Sequence, residues 1–136
     1  DRILEKLRKG FKLEHIRRFH DIATEAGIKD CHTFILGTDS ETIEDVEETL
    51  EFIVDLDPHS TIINIWFDDL ETLQPERRNE RIKLRADIEA LLLSKKYTLP
   101  NWSVPGLGIN FDEKRFEMLR RAGYRGPLWQ HMQRAS

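Results

Sequence analysis

The stretch "HTFILGTDSETIEDVEETLEFI", His32 to Ile53, sets a short apolar run, a glycine and an acidic amphipathic pattern one after another. Thr33 to Leu36 combines β-branched and aromatic residues without alternation, which predicts a strand buried on both faces. Ile43, Val46, Leu50, Ile53 and Val54 then recur at helical spacing and stop near Leu56, just before Asp57-Pro58. "TIINIWF", Thr61 to Phe67, reads as a second buried strand. A strand, a helix and a strand in that order predict a right-handed crossover between parallel strands, hence an α/β fold.

Working outward, Ile3, Leu4 and Leu7 mark a short helix from Arg2 to Lys9 that Gly10 stops, with Arg8 and Lys9 suited to its last turn. Leu13, Ile16, Phe19, Ile22, Ala23 and Ala26 predict a second helix ended by Gly27. On the C-terminal side, Pro75 opens a long charged helix through about Lys96, followed by the loop "TLPNWSVPGLGIN". Asp112 then caps a helix carrying Phe116 and Leu119 that Gly123 ends, and "GPLWQHMQRAS" holds at most one further turn.

The chain of 136 residues is long enough to bury a core without disulfides or a metal. With Lys and Arg numbering 21 against 25 Asp and Glu, it lacks the basic surplus of a general nucleic-acid binder. Cys31 is the single cysteine, which excludes an internal disulfide and a thiolate-only metal or cluster site, and predicts a cytoplasmic setting. No apolar stretch approaches the roughly 20 residues of a membrane span. Because Asp1 stands first and helical pattern begins at Arg2, the segment is expected to begin inside a longer chain.

In parallel α/β sheets the loops after the strands face the ligand crevice, so the bend Gly37-Thr38-Asp39-Ser40 is the candidate site. Thr38 and Glu41 match a capping box, which alone accounts for much of the motif. A phosphate cradle is disfavoured, since acidic residues crowd Glu41 to Asp57, no Lys or Arg intervenes, and the P-loop Lys-Ser/Thr is missing. A neutral or cationic ligand fits better, and S-adenosylmethionine, with its sulfonium and neutral adenine, has that character.

"RILEKLRKGF", a helix ending "AGI", and "HTFILGTDSET" together resemble the later half of a radical S-adenosylmethionine enzyme barrel, closest to the group with an N-terminal cobalamin-binding domain. Lys9-Gly10 matches the family's close of the first helix, and "RRAGYRGPLW" is similar to the tail of some members. The family's Gly-x-Pro-x-Glu-Thr stands here as Gly37 to Thr42, with Asp39 in place of proline and Thr33 in place of a frequent glycine. The resemblance implies a partial (β/α) barrel with two or more parallel strands flanked by helices over residues 1–70, and a helical C-terminal extension over 71–136. It implies that Ile35, Gly37 and Thr38 border the adenosyl group, with Ile65, Trp66 and Phe67 adding adenine contacts. It also implies a [4Fe-4S] cluster held by residues outside the segment, because the Cys-x3-Cys-x2-Cys loop is absent, and cobalamin in the parent protein. The segment is then a noncatalytic wall of the adenosyl and substrate pocket, its partners being the rest of its own chain and, in isolation, further copies of itself. The rival expectation is a noncatalytic α/β protein-interaction module.

Other candidates read as structural. The five histidines include no His-x3-His pair and so offer no zinc spacing. Adjacent Asp68 and Asp69 point to opposite faces if the strand continues, and read as a solvated strand end. "ERRNERIKLR", Glu76 to Arg85, alternates charge and reads as a solvent-facing helix with weak pairs. Trp102 and Trp129 default to core packing.

Overall fold

The computed structural model describes residues 1–95, 102–109 and 113–124. Helices α1 (Arg2–Lys6) and α2 (Leu13–Glu25) lead into strand β1 (Cys31–Leu36), helix α3 (Ile43–Leu56) and strand β2 (Ser60–Ile65). Helix α4 (Pro75–Lys95), strand β3 (Trp102–Ser103) and helix α5 (Glu113–Arg121) follow. The fold is mixed α/β, with a three-stranded sheet in the order β1-β2-β3. Both pairings are parallel, with Phe34 opposite Ile63 and Leu36 opposite Ile65, and with Thr61 opposite Trp102.

Strand order follows chain order, so each crossover carries its helix to the same side. Val46, Leu50 and Ile53 of α3 and Ile88 and Leu92 of α4 share one buried cluster with Leu36, Ile63 and Ile65. Trp102, Val104 and Ile109 belong to it too, so the core runs across the boundary expected at residue 70. β3 sits in a stretch that the sequence presents as loop, because two residues are too short to show a strand period. Trp102 packs in the core as expected; Trp129, the Asp112 cap and the final turn lie outside the described residues.

Among the described residues, α3 and α4 cover one face of the β1–β2 pair, and the other is largely exposed beyond the buried Ser60 at its start. Ile35 is 46% exposed while its neighbour Leu36 is wholly buried. Cys31, Thr33 and Asn64 are exposed with Ile35, so burial on both faces is corrected to burial on one. The apolar run was correctly a strand; composition alone does not say whether this chain supplies the cover for both sides.

Helix ends also shift. Leu7 closes α1 and Arg8 takes a left-handed φ of 53°, ending the helix before Gly10. α2 does end at the glycine: Gly27 has φ 68° and Ile28 N–H donates to Ala23 at 2.8 Å. α3 starts four residues later than the Thr38–Glu41 box predicted, with Thr42 as its N-cap and Asp45 as the reciprocal partner at 2.8 Å. No helix among the described residues is long and apolar enough to cross a membrane.

Candidate functional site

The bend after β1 is built on a glycine in a left-handed conformation. Gly37 has φ 80°, and a Cβ there would lie 2.9 Å from Ile88 Cδ1. The backbone conformation therefore favours glycine strongly, and a side chain there would also require the tip of Ile88 to shift. From Gly37 the chain turns through Thr38, whose carbonyl accepts from Glu41 N–H at 3.0 Å. The buried Glu41 carboxylate in turn accepts from the Thr38 amide at 2.6 Å and the Thr38 hydroxyl at 2.8 Å. Glu41 thus closes the bend itself and does not cap α3, which corrects the capping assignment: the α3 cap lies one turn downstream, at Thr42 and Asp45.

Four successive carbonyls of this bend accept from arginines. Arg81 of α4 donates to Gly37 O and, at 3.0 Å, to Thr38 O. Arg77 donates to Asp39 O at 2.7 Å, and Arg2 to Ser40 O at 3.4 Å. Each arginine also meets a carboxylate: Arg81 with Asp68 at 2.7 Å, Arg77 with Asp39 at 2.7 Å, and Arg2 with Asp45. The Arg77 hydrogen bond lowers the Asp39 pKa. For Asp45, burial alone would raise the pKa, but the Arg2 hydrogen bond and the Thr42 amide outweigh it and hold the carboxyl low. Asp45 at the start of α3 is therefore paired with a cation from α1, and Asp39 of the bend with one from α4, which no inspection of residues 37 to 57 alone reveals.

Arg81 is the member sequence reasoning missed. It is 5% exposed, although it lies in the stretch read as a solvent-facing helix. That reading holds for Arg77–Glu80 and Lys83–Asp87, which are exposed pairs on α4. Arg81 differs because it stands seven residues before Ile88 and eleven before Leu92, on the same helical stripe that enters the core. Past the end of the strands that stripe meets backbone carbonyls instead of side chains, and an arginine satisfies them. Asp68 is likewise no solvated strand end, since it is part-buried against Arg81. Asp69 instead caps the short turn Leu70–Thr72, accepting from Glu71 N–H at 3.3 Å, so the two aspartates form no dyad.

The six residues expected at an adenosyl group do not share one surface. Ile35 and Trp66 are half-exposed on the uncovered side of the sheet. Thr38 is buried with its polar groups engaged, and Ile65 is buried in the core on the helix side. Phe67 is exposed, with the Arg85 guanidinium 4.1 Å above its ring. Gly37, Ile65 and Trp66 do line a common pocket of about 310 Å³ between the end of β2 and α4, together with Asp68, Arg81 and Leu84.

The opposite end of the sheet holds a second polar cluster. His20 Nδ1 of α2 and His32 Nε2 of β1 lie 2.6 and 2.8 Å from the same Asp30 oxygen. The other Asp30 oxygen accepts from His59 N–H at 2.8 Å. Burial would raise the Asp30 pKa, but these hydrogen bonds prevail and lower it to about 2. Spacings of ten and two residues match no recognised motif, so only the fold brings the three together.

No protein-family model, curated protein or solved structure matches the chain.

Proposed function

We propose that the chain is the C-terminal part of a radical S-adenosylmethionine enzyme, a partial (β/α) barrel that walls the adenosyl and substrate pocket and is not catalytic by itself. The observation that carries this reading is the parallel sheet in chain order, with both crossover helices on one face and Thr33, Ile35 and Asn64 exposed on the other. A singly wound sheet of that kind supplies an arc of a barrel, whose helices form the outer ring and whose opposite face looks inward. Ile35 and Trp66 on that face offer apolar contact to an adenosyl group, and Asn64 and Thr33 offer polar contact.

The residues fit the proposed groups unequally. Backbone recognition of adenine at the bend is not supported, because the carbonyls of Gly37 to Ser40 already accept from Arg81, Arg77 and Arg2. A [4Fe-4S] cluster does not fit on this chain: its one cysteine, Cys31, opens β1 at the end away from the bend. The cluster, and cobalamin if the parent uses it, belong to polypeptide outside these residues. The interaction-module reading draws on the exposed Phe19 and Ile22 of α2, an apolar surface that either a partner or the rest of a barrel would cover.

The coding sequence upstream of Asp1 separates the two readings. A Cys-x3-Cys-x2-Cys loop about one domain N-terminal supports the enzyme, and an open reading frame without it overturns the proposal. Titration of the chain with S-adenosylmethionine, followed by amide NMR, is expected to shift Ile35 and Trp66 before any residue of α2.

A further inference from the structure

We propose that His20, Asp30 and His32 form a site for a divalent transition metal, zinc above all, that staples α2 to the start of β1. The ligand atoms already lie within 4.8 Å of one another. They come from three pieces of chain: the last turns of α2, the loop that follows Gly27, and the second residue of β1. Each side chain is mostly buried, with 16%, 14% and 17% of its surface exposed for His20, Asp30 and His32. Two imidazoles and one carboxylate are a borderline donor set, which favours zinc, cobalt or nickel over magnesium or calcium.

The neighbours fix the ligands before any ion arrives. Asp30 is held by the His59 amide on its second oxygen, and its carbonyl accepts from the Ser60 hydroxyl at 3.2 Å. The His32 ring stacks on Phe34 with centroids 6.4 Å apart, and Phe34 meets the edge of Phe52 at 6.3 Å. A hydrogen bond to the outer oxygen of a ligating carboxylate is the kind of support that orients metal ligands. Bonds of about 2.0 to 2.1 Å in tetrahedral array set ligand atoms roughly 3.3 Å apart. The present separations of 2.6 and 2.8 Å need to open by less than about 1 Å for the ion to replace the two hydrogen bonds.

The role is structural. The cluster sits at the amino ends of the strands, away from the Gly37 bend, and in parallel α/β folds that end serves stability. α2 itself buries no residue completely, so its attachment to the sheet rests on few contacts, among them this cluster and the Arg17–Asp55 pair. An ion joining His20 to Asp30 and His32 adds the anchor that α2 lacks.

The test is a cobalt(II) titration of the whole chain at near-neutral pH, read by visible absorption, with zinc as competitor. One cobalt per chain with tetrahedral-type bands is expected, displaced by zinc, together with a rise of several degrees in the zinc-loaded thermal midpoint. His20→Ala and Asp30→Asn are expected to weaken uptake at least ~10- to 100-fold, whereas His59→Ala keeps the backbone amide and leaves uptake unchanged. Nitrogen NMR of the imidazoles reads the same point without mutation: zinc shifts His20 Nδ1 and His32 Nε2. Unchanged resonances at both, equal uptake in His20→Ala, or loss in His59→Ala each overturn the site.

Discussion

The two faces of the β1–β2 pair are made from similar residues and meet different fates. On one face Leu36, Ile63 and Ile65 disappear beneath α3 and α4. On the other, Ile35 and Trp66 stay about half-exposed beside Asn64 and Thr33. The first face carries the free energy of the fold, because apolar area removed from water contributes about 25 cal/mol per Å². The second contributes little to stability in this chain and is free to serve recognition. What decides between them is where the crossovers run, since strands in chain order send both helices to one side.

The largest break in that asymmetry is expected where α4 meets the bend. Arg81→Ala leaves the Gly37 and Thr38 carbonyls without their donor and Asp68 without its cation, all in a largely buried setting. Removing one member of a buried ion pair costs about 3–5 kcal/mol, and denaturant unfolding is expected to show a loss of that size. Arg81→Lys is expected to recover only part of it, because an ammonium lacks the fork that reaches two carbonyls and a carboxylate together. Ile63→Ala comes next. Ile63 is fully buried between the helices, and truncation there is expected to cost about 2–5 kcal/mol, measured by the same unfolding curves.

The elements behind this contrast were legible in the residues, whereas the one-sided burial was not, and the missing parts have physical causes. β1, α3 and β2 announce themselves through apolar runs and helical spacing, because each element's own period is enough. The start of α4 at Pro75 is equally local. Arg81 was hidden by its company: Glu80 and Lys83 around it are ordinary surface charges, and only its phase against Ile88 and Leu92 points inward. The Thr38–Glu41 pair was recognised, but Thr42–Asp45 repeats the same chemistry four residues on and wins the helix start. The His20–Asp30–His32 cluster was invisible for a different reason. Its contacts depend on how α2 folds back on β1, which no spacing along the chain encodes.

Acid is expected to act more gently and at the other end of the sheet. The folded Asp30 pKa, lowered to about 2 against an ordinary value of 3.8, means that the folded state binds this proton less readily than the unfolded state. Stability from Asp30 is therefore fully present above about pH 4 and is lost as the pH falls towards 2. Allowing for partial solvent screening, the loss is about 1–2 kcal/mol. Unfolding curves across that window, compared between the natural chain and Asp30→Asn, isolate it: the variant is expected to lack this component of the acid dependence.

The smallest effect is expected on the bare face, where Ile35→Ser provides the sharpest check of the contrast. Ile35 retains nearly half of its surface in water, so its replacement removes little burial and opens no enclosed cavity. A stability change of no more than about 1 kcal/mol follows, well below that of Ile63→Ala. The comparison needs a dilution series. If copies of the chain pair through this face, Ile35 becomes buried at high concentration, and the cost of Ile35→Ser grows with concentration while that of Ile63→Ala does not. A large, concentration-independent loss at Ile35 would instead mean that the chain covers this face itself, and the inequality between the two faces would fail together with the pocket proposed on it.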